Sequence, residues 1–202
     1  LLAARRPGVA IDVLAPSWCA GLLARMPEVR AAHEMPLGHG ELGLARRRAI
    51  GRALRARRYV QAIVLPNSLK SALVPWFARI PRRTGWRGEF RYGLLNDLRV
   101  PDPARLPRMV ERFAALALDA GAPLVEAPRP RLRADTARAV QLAGGLGLDW
   151  ERPVLALCPG AEFGPAKRWP ERHFAAVAAA MIDAGWQVWL FGSSADRALT
   201  AP

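Results

Sequence analysis

The chain has 202 residues, of which 51% are hydrophobic and 23% charged, a composition typical of a folded globular protein and not of a disordered one. Arginines interrupt every apolar run before it reaches the roughly 20 residues that a membrane-spanning helix needs. The formal net charge of +13 favours an anionic partner, namely nucleic acid, an anionic membrane surface or a phosphorylated substrate, although a GC-rich genome would also enrich arginine. Residues 151–202 carry as many acidic as basic side chains, so the excess lies in residues 1–150.

The first part of the chain predicts alternating strands and helices. In chain order they are a strand at 9–14, a short helix at 17–25, a long basic helix at 41–58, a strand at 60–65, a helix from 68 to about 78 and a short strand at 80–86. The inner face of the basic helix is predicted to consist of Leu42, Ala45, Ile50, Ala53 and Leu54. Asn67 or Ser68 is suited to cap the helix that follows. Residues 87–103 show no clean periodicity, which indicates a long functional loop.

The second part continues the alternation after a segment rich in proline and arginine. It predicts a helix at 105–120, a linker at about 122–150 that includes a helix at 134–146, a strand at 153–158, a loop at 159–170, a helix at 171–185 and a strand at 187–191. This order predicts an α/β protein with parallel sheets and two domains, residues 1–148 and 149–202. We expect the strands at 9–14 and 60–65 to share one sheet and the last two strands to share another.

The loop at 159–170 (PGAEFGPAKRWP) has the features of an anion site. It joins a strand to a helix, and ligands of parallel α/β sheets bind beyond the carboxyl ends of strands. Gly160 and Gly164 give the backbone freedom, Pro170 suits the first helical turn, and free N–H groups there attract anions. Lys167 adds a mobile positive charge, so the loop would suit a diphosphate. The alternative is a surface loop with a solvated lysine.

The basic helix and its flank carry the densest positive charge in the sequence, at Arg46, Arg47, Arg48, Arg52, Arg55, Arg57 and Arg58. The default interpretation is a solvated surface, and the alternative is attraction to an anionic membrane leaflet. The usual nucleic-acid signatures are absent from the sequence, so a basic nucleic-acid-binding protein is the weaker hypothesis. Cys19 and Cys158 are far apart and in no metal-ligand spacing, which favours a reduced compartment.

Four stretches together carry a resemblance to a known family. They are LAPSWCAGLLARMPEV, MPLGHGELGLARRR, LPNSLKSALVPWFARIPRRTGWRGEFRYGLLNDLRV and PGAEFGPAKRWP, the last followed by a helix, a strand and FGS. In this order they resemble the lipopolysaccharide heptosyltransferase II family over about residues 8–196. The likeness weakens only at residues 122–150.

The resemblance implies a GT-B fold with two Rossmann-like domains, the N-terminal one for the acceptor and the C-terminal one for the nucleotide sugar. It implies an inverting, metal-independent transfer that uses no cofactor. The donor would be ADP-L-glycero-D-manno-heptose and the acceptor the first heptose of the inner core, joined through Kdo to lipid A. The implied location is the cytoplasm, and peripheral association with the cytoplasmic face of the inner membrane is the alternative.

The resemblance also assigns residues. On the donor side it implies Gly160, Ala161, Lys167 and Ser193. On the acceptor side it implies Lys70, with Asn67 and Ser68 on the same strand-end loop, while loop position and charge add Arg83, Arg87 and Arg91. No catalytic residue is assigned, because the family's general base is expected upstream of residue 1, on a first strand that the sequence does not contain. A further nucleotide-binding segment is expected beyond Pro202.

These expectations have two consequences. We expect the chain by itself to be catalytically incomplete, with a sheet that lacks a central strand. A noncatalytic sugar-nucleotide-binding relic therefore stays open beside the heptosyltransferase hypothesis.

Overall fold

The computed structural model describes residues 1–38, 40–161 and 165–196. The chain divides into two compact units, Leu1–Ala134 and Asp135–Pro202. This division falls before the helix that starts at Thr136, whereas the sequence interpretation assigned that helix to the first domain.

The first unit holds five helices and five strands in its described residues. They are α1 (Leu2–Arg5), β1 (Ile11–Ala15), α2 (Ala20–Leu23), β2 (Val29–Glu34), α3 (Leu44–Leu54), β3 (Gln61–Val64), α4 (Leu69–Phe77), β4 (Arg82–Trp86), β5 (Asp97–Arg99) and α5 (Met109–Leu116). Single 3-10 turns at Ser17–Cys19 and Arg55–Arg57 precede α2 and follow α3. The second unit contains α6 (Thr136–Gly145), β6 (Val154–Leu157), α7 (Glu171–Asp183) and β7 (Gln187–Leu190), with 3-10 turns at Pro165–Lys167 and Ser194–Asp196.

All strand pairs within residues 1–38, 40–161 and 165–196 are parallel, as the alternation of strands and helices predicts. β1 pairs with β2, β3 and β5 flank β4, and β6 pairs with β7. The expectation that the strands at 9–14 and 60–65 share one sheet is wrong for the described residues, because β1 and β3 belong to separate sheets. Side chains connect the two sheets instead of a backbone ladder.

Asp12 is the centre of the connection between these sheets. Its carboxylate is only 3% exposed; it accepts two hydrogen bonds from Arg30, at 2.7 and 2.8 Å, and one from the hydroxyl of Tyr59, which precedes β3. His33 Nε2 lies 2.9 Å from the same hydroxyl. The Arg30 guanidinium holds the pKa of Asp12 well below its usual range, and burial raises the pKa of Tyr59 to about 12. The cluster therefore fastens β1 and β2 to the start of β3.

A second carboxylate, that of Asp97 on β5, fastens the three-stranded sheet to α5. It accepts hydrogen bonds from Arg99 at 2.9 Å, Thr84 at 2.9 Å and Arg82 at 3.0 Å. Arg99 also donates to the carbonyls of Ala115 and Leu118, both at 2.8 Å, at the end of α5. The carboxylate of Asp97, like that of Asp12, is therefore occupied by hydrogen bonds that stabilise the fold.

Helices α3 and α4 cross in close contact at Gly51. A Cβ atom at this position would lie 2.8 Å from the carbonyl oxygen of Val74. The predicted inner face of α3 is therefore wrong in part: Gly51 and Arg47 are buried, whereas Leu42, Ala45 and Ala53 are exposed.

Arg47 differs from the other arginines of the basic run. It is 5% exposed, and its Nε donates to the carbonyl of Leu42 at 2.6 Å. Burial lowers the pKa of its guanidinium. The default interpretation of this run as solvated surface consequently fails at Arg47, because backbone carbonyls replace the water around its charge.

Two apolar clusters stabilise the three-stranded sheet, one on each side. Val64, Ala72 and Leu95 form the first. Trp86, Leu106 and Leu116 form the second, with Ile63 packed against it. None of the helices described is long and apolar enough to cross a membrane.

Candidate functional site

Two of the predicted donor residues of the second unit, Gly160 and Ser193, lie where two neighbouring strands end. β6 and β7 run parallel with Leu157 opposite Leu190, and Phe191 N–H donates to the Leu157 carbonyl at 2.8 Å. Gly160 and Ser193 each follow three residues after the end of their strand. The sheet thus brings the two predicted positions to the same carboxyl edge, which is the usual place for a ligand in parallel α/β sheets.

Asp196 joins these two positions, and the sequence interpretation did not single it out. Its carboxylate accepts from Ser193 N–H at 2.8 Å and from Ser193 Oγ at 2.7 Å. The Ser193 hydroxyl, more than any other group, lowers the pKa of Asp196. A Cβ at Gly160 would overlap the same carboxylate. A side chain at position 160 would therefore displace the Asp196 carboxylate, a contact that the sequence pattern alone does not reveal.

Lys167 lies at the end of the short 3-10 turn that precedes α7, and its side chain is exposed. Helix α7 begins after Pro170, whose ring cannot cap the helix with a hydrogen bond. A helix start without a side-chain cap has N–H groups available for an anion, and the helix dipole favours negative charge there. Ala161 is half-buried, whereas Gly164 lies outside the described residues.

A stacked aromatic pair supports the start of α7. The rings of Trp169 and His173 lie 5.3 Å apart at 20°, and Trp169 also meets Phe174 edge to face. Trp169 lies two residues after Lys167, so this stacking holds the segment between Lys167 and the start of α7. The stretch from the 3-10 turn to α7 therefore has the charge and the free backbone donors that a diphosphate requires.

In the first unit, the carboxyl ends of β3 and β4 hold most of the predicted acceptor residues. Asn67 and Ser68 follow β3, and Ser68 is the N-cap residue of α4. Its side chain makes no capping hydrogen bond; the carboxylate of Glu89 accepts from Leu69 N–H at 2.7 Å instead. Glu89 N–H in turn donates to the Asn67 carbonyl at 3.1 Å. The segment after β4 thus encloses the start of α4, where Lys70 is half-buried.

Arg87 lies at this same edge and is exposed. It follows directly after β4, and its backbone N–H donates a hydrogen bond to the Arg99 carbonyl. Its side chain is exposed, so the guanidinium faces solvent. Together with Lys70 it supplies the positive charge of the edge.

Arg91 does not have the role that loop position and charge suggested. Its side chain is fully buried and donates to the carbonyls of Pro66 and Trp86 and to the side chain of Asn67. Burial lowers the pKa of its guanidinium. A ligand cannot reach a group enclosed in this way, so Arg91 positions the loop around Asn67 and does not contact an acceptor in this structure.

Arg83 also departs from the predicted group, because it lies at the amino end of β4. Four residues separate it from Arg87, and a strand rises about 3.3 Å per residue, so the two Cα atoms are about 13 Å apart. The Arg83 guanidinium donates to the carbonyl of Leu94 at 2.6 Å and to that of Ile80. The sequence predicts a strand at 80–86, so this separation follows from the predicted elements, and the grouping of Arg83 with Arg87 by charge overlooked it.

Comparison with known proteins gives a consistent result. Residues 47–201 match the profile of glycosyltransferase family 9 (heptosyltransferase). The chain is 54% identical to lipopolysaccharide heptosyltransferase 2 of Escherichia coli K12 over 202 residues, which cover 97% of this chain and 58% of that protein. It is 49% identical to lipooligosaccharide heptosyltransferase 2 of Haemophilus influenzae Rd over 199 residues, covering 95% and 57% of the two chains.

A solved structure agrees as well. That of E. coli ADP-heptose LPS heptosyltransferase II superposes with a TM-score of 0.85 at 51% identity, covering 98% of this chain and 60% of that one. The chain belongs to glycosyltransferase family 9, the heptosyltransferases. The predicted fold class, α/β of the GT-B type with parallel sheets, is confirmed. The chain spans somewhat more than half the length of the curated relatives that it matches.

Proposed function

We propose that the protein carrying this sequence transfers L-glycero-D-manno-heptose from ADP-heptose to the first heptose of the lipopolysaccharide inner core. One observation carries the proposal: the chain is 54% identical, over 97% of its length, to an E. coli protein named lipopolysaccharide heptosyltransferase 2. The two strand-end sites supply the chemistry that such a transfer needs, a diphosphate site in one unit and a positively charged edge in the other.

The donor diphosphate is proposed to bind at the carboxyl edge of β6 and β7. Breaking the bond from the sugar to the diphosphate leaves negative charge on the departing oxygen. Lys167 and the N–H groups at the start of α7 are preorganised positive groups, which stabilise that charge more in the transition state than in the ground state. The hydroxyl of Ser193 and the backbone at Gly160 and Ala161 are the proposed contacts to the remainder of the nucleotide sugar.

The acceptor is proposed to bind at the carboxyl edge of β3 and β4. An inner-core acceptor joined through Kdo to lipid A carries carboxylates and phosphates. Lys70 and Arg87 offer positive charge to these groups, and the side chains of Asn67 and Ser68 offer hydrogen bonds. Arg is suited to forked contacts with carboxylates and Lys to a single point of charge.

Three finer features of the proposal follow from the family resemblance. The transfer inverts the anomeric centre, needs no metal ion or other cofactor, and takes place in the cytoplasm, with the inner membrane as a peripheral docking surface. The sensitivity of the transfer to EDTA and the anomeric configuration of the product test the first two.

The direct test is a transfer assay with purified protein. The protein that carries this sequence is incubated with ADP-heptose and a Kdo–lipid A acceptor that bears one heptose. The molecular masses of the products are then measured by mass spectrometry. We expect a product that is heavier by one heptose residue. An acceptor without the first heptose is the control and should remain unchanged. Transfer to that control, or no transfer to the heptose-bearing acceptor, would contradict the assigned acceptor.

A further inference from the structure

A groove rich in arginine lies between α3, α4 and the start of β4, in the first unit. Its volume is about 690 Å³. The side chains that decide its chemistry are those of Arg48, Arg52, Arg55, Trp76, Arg79 and Arg83. Ser68 and Lys70 are at the opposite end of α4, and nine helical residues span about 13 Å. The groove is therefore separate from the proposed acceptor edge.

The positive charges of the groove are not neutralised by the side chains that line it. Among the residues that the structure describes, none that lines the groove is acidic. Arg55 and Arg83 use hydrogen bonds to the backbone carbonyls of Phe77 and Leu94 and so maintain the shape of the groove. Arg48, Arg52 and Arg79, by contrast, make no side-chain hydrogen bond or ion pair in the described part of the chain. Three guanidinium groups consequently face the groove with their donors free.

These charges repel one another at close range. Desolvation is the largest cause that lowers the pKa of Arg55, and the nearby charges of Arg79, Arg52 and Arg48 lower this pKa further. The first unit as a whole carries 24 of the 30 basic residues but only 10 of the 17 acidic ones, so the rest of the unit adds to the positive potential. An anion bound in the groove would relieve this repulsion.

The arrangement along α3 gives the groove a defined face. Leu44, Arg48, Arg52 and Arg55 recur at intervals of three or four residues and so lie on one side of the helix. Arg46 and Arg57 lie outside this stripe and do not line the groove. Arg46 and Arg57 therefore provide a matched control, because they carry the same charge but lie outside the groove.

Apolar side chains beside the arginines favour a lipid headgroup over a free phosphate. Trp76 is 45% exposed and Leu44 51% exposed at the edge of the groove. Tryptophan rings favour the membrane–water interface, where one part of the ring is apolar and the other wet. Guanidinium groups bind phosphate oxygens in forked pairs. We propose that this groove is the surface that docks the first unit onto the phosphate headgroups of an anionic membrane, an inference that rests on the peripheral membrane location in the proposed function.

Vesicle binding by the protein that carries this sequence tests the proposal. The protein is mixed with phosphatidylcholine vesicles that contain no phosphatidylglycerol or about one third of it, and the bound fraction is measured by sedimentation. The variants are Arg48→Gln/Arg52→Gln and the control Arg46→Gln/Arg57→Gln, which lose the same charge. A basic residue close to an anionic surface contributes about fivefold to the partition coefficient, so the groove variant should bind roughly 20- to 30-fold more weakly. The control should lose less than about fivefold, because its charges lie outside the groove.

Several outcomes would overturn the proposal. Equal losses in the two double variants would mean that overall charge, and not the groove, attracts the membrane. Release of the bound chain by millimolar inorganic phosphate at constant ionic strength would show a site for free phosphate. Tighter binding of a single-stranded oligonucleotide that is also weakened only by the groove variant would assign the groove to nucleic acid. Circular dichroism of both variants establishes that each is folded.

Discussion

The carboxylate of Asp196, just after β7, packs directly against the backbone of Gly160, just after β6. The same carboxylate accepts two hydrogen bonds from Ser193. The positions at the ends of both strands are thus fixed by one acidic side chain. A side chain at position 160 would displace this carboxylate, so the geometry of the proposed donor site depends on Asp196.

Substitution of Gly160 should therefore disturb nucleotide binding. Gly160→Ala places a methyl group where the Asp196 carboxylate lies, so Asp196 must move and release Ser193. We expect at least about tenfold weaker binding of ADP, measured by isothermal titration, with little change in the circular dichroism spectrum. Gly144→Ala in α6 is the matched control because a methyl group there meets open space. Unchanged ADP affinity in Gly160→Ala would show that the strand ends do not form the nucleotide site.

The crossing of α3 and α4 gives a prediction about stability. In a helix, Ala is ordinarily more stable than Gly by about 1 kcal/mol. At Gly51, however, the new methyl group would overlap α4, and overpacking of this kind costs roughly 1–3 kcal/mol. We expect Gly51→Ala to lower the melting temperature of the first unit. Gly21→Ala, in the short helix α2 with open space around it, should leave the melting temperature unchanged or raise it.

The Asp12 cluster predicts an acid-sensitive contribution to stability. The folded pKa of Asp12 lies below its ordinary value of about 3.9, so its contribution is full above that pH and is lost as the pH falls through the folded pKa. Asp12→Asn should cost about 1.5–3 kcal/mol at pH 7, as expected for charged hydrogen bonds. The difference between wild type and variant in urea denaturation should narrow below about pH 4. A difference that does not change with pH would contradict the assigned ionisation.

Tyr59 predicts a contribution to stability that is lost at alkaline pH. Its pKa is raised to about 12, so its contribution is present below the ordinary value of about 10 and is lost as the pH rises through 12. Ultraviolet titration should show a late phenolate transition that Tyr59→Phe removes. Retention of that transition in the variant would place it on another group.

The division of labour between the units predicts different effects on donor and acceptor. Lys70→Ala and Arg87→Ala should raise the KM of the acceptor or lower kcat, while ADP affinity remains nearly unchanged. Arg57→Ala, an exposed arginine away from the strand ends, is the control and should leave both quantities unchanged. If Lys70→Ala weakened ADP binding as much as acceptor use, the separation of the two sites would be wrong.

Repeated apolar patterns predicted most strands and helices well. The strands that became β1, β3, β6 and β7 lie within a few residues of their predicted limits, because each is a short apolar run between turn residues. β2 was missed even though Val29, Ala31 and His33 alternate with exposed residues, because this alternation contains small and polar side chains. β5 was missed because a strand of three residues gives no measurable period.

The site residues show the limits of sequence reasoning more clearly. Motif and strand order predicted Lys167 and Ser193 as donor residues; the structure places Lys167 before α7 and Ser193 after β7, and their role in binding stays a prediction. Arg83 and Arg91 were grouped with the acceptor residues on loop position and charge, neither of which reveals that Arg91 is buried and that Arg83 lies at the amino end of β4. Asp196 was missed because its role depends on a contact between residues 36 positions apart in the chain.

Donor kinetics of Lys167 variants test the central claim most directly. Removal of one preorganised charge-stabilising donor typically costs about 10²–10³ in rate. In the protein carrying this sequence, we expect Lys167→Ala to lose at least about tenfold in kcat/KM for ADP-heptose, and Lys167→Arg to recover only part of it, since a planar fork does not replace a point charge. Arg152→Ala is the matched control because it removes an exposed positive charge just before β6, at the opposite end of the strand. Wild-type kinetics from a folded Lys167→Ala protein would contradict the account and leave residues 159–170 as a surface connection.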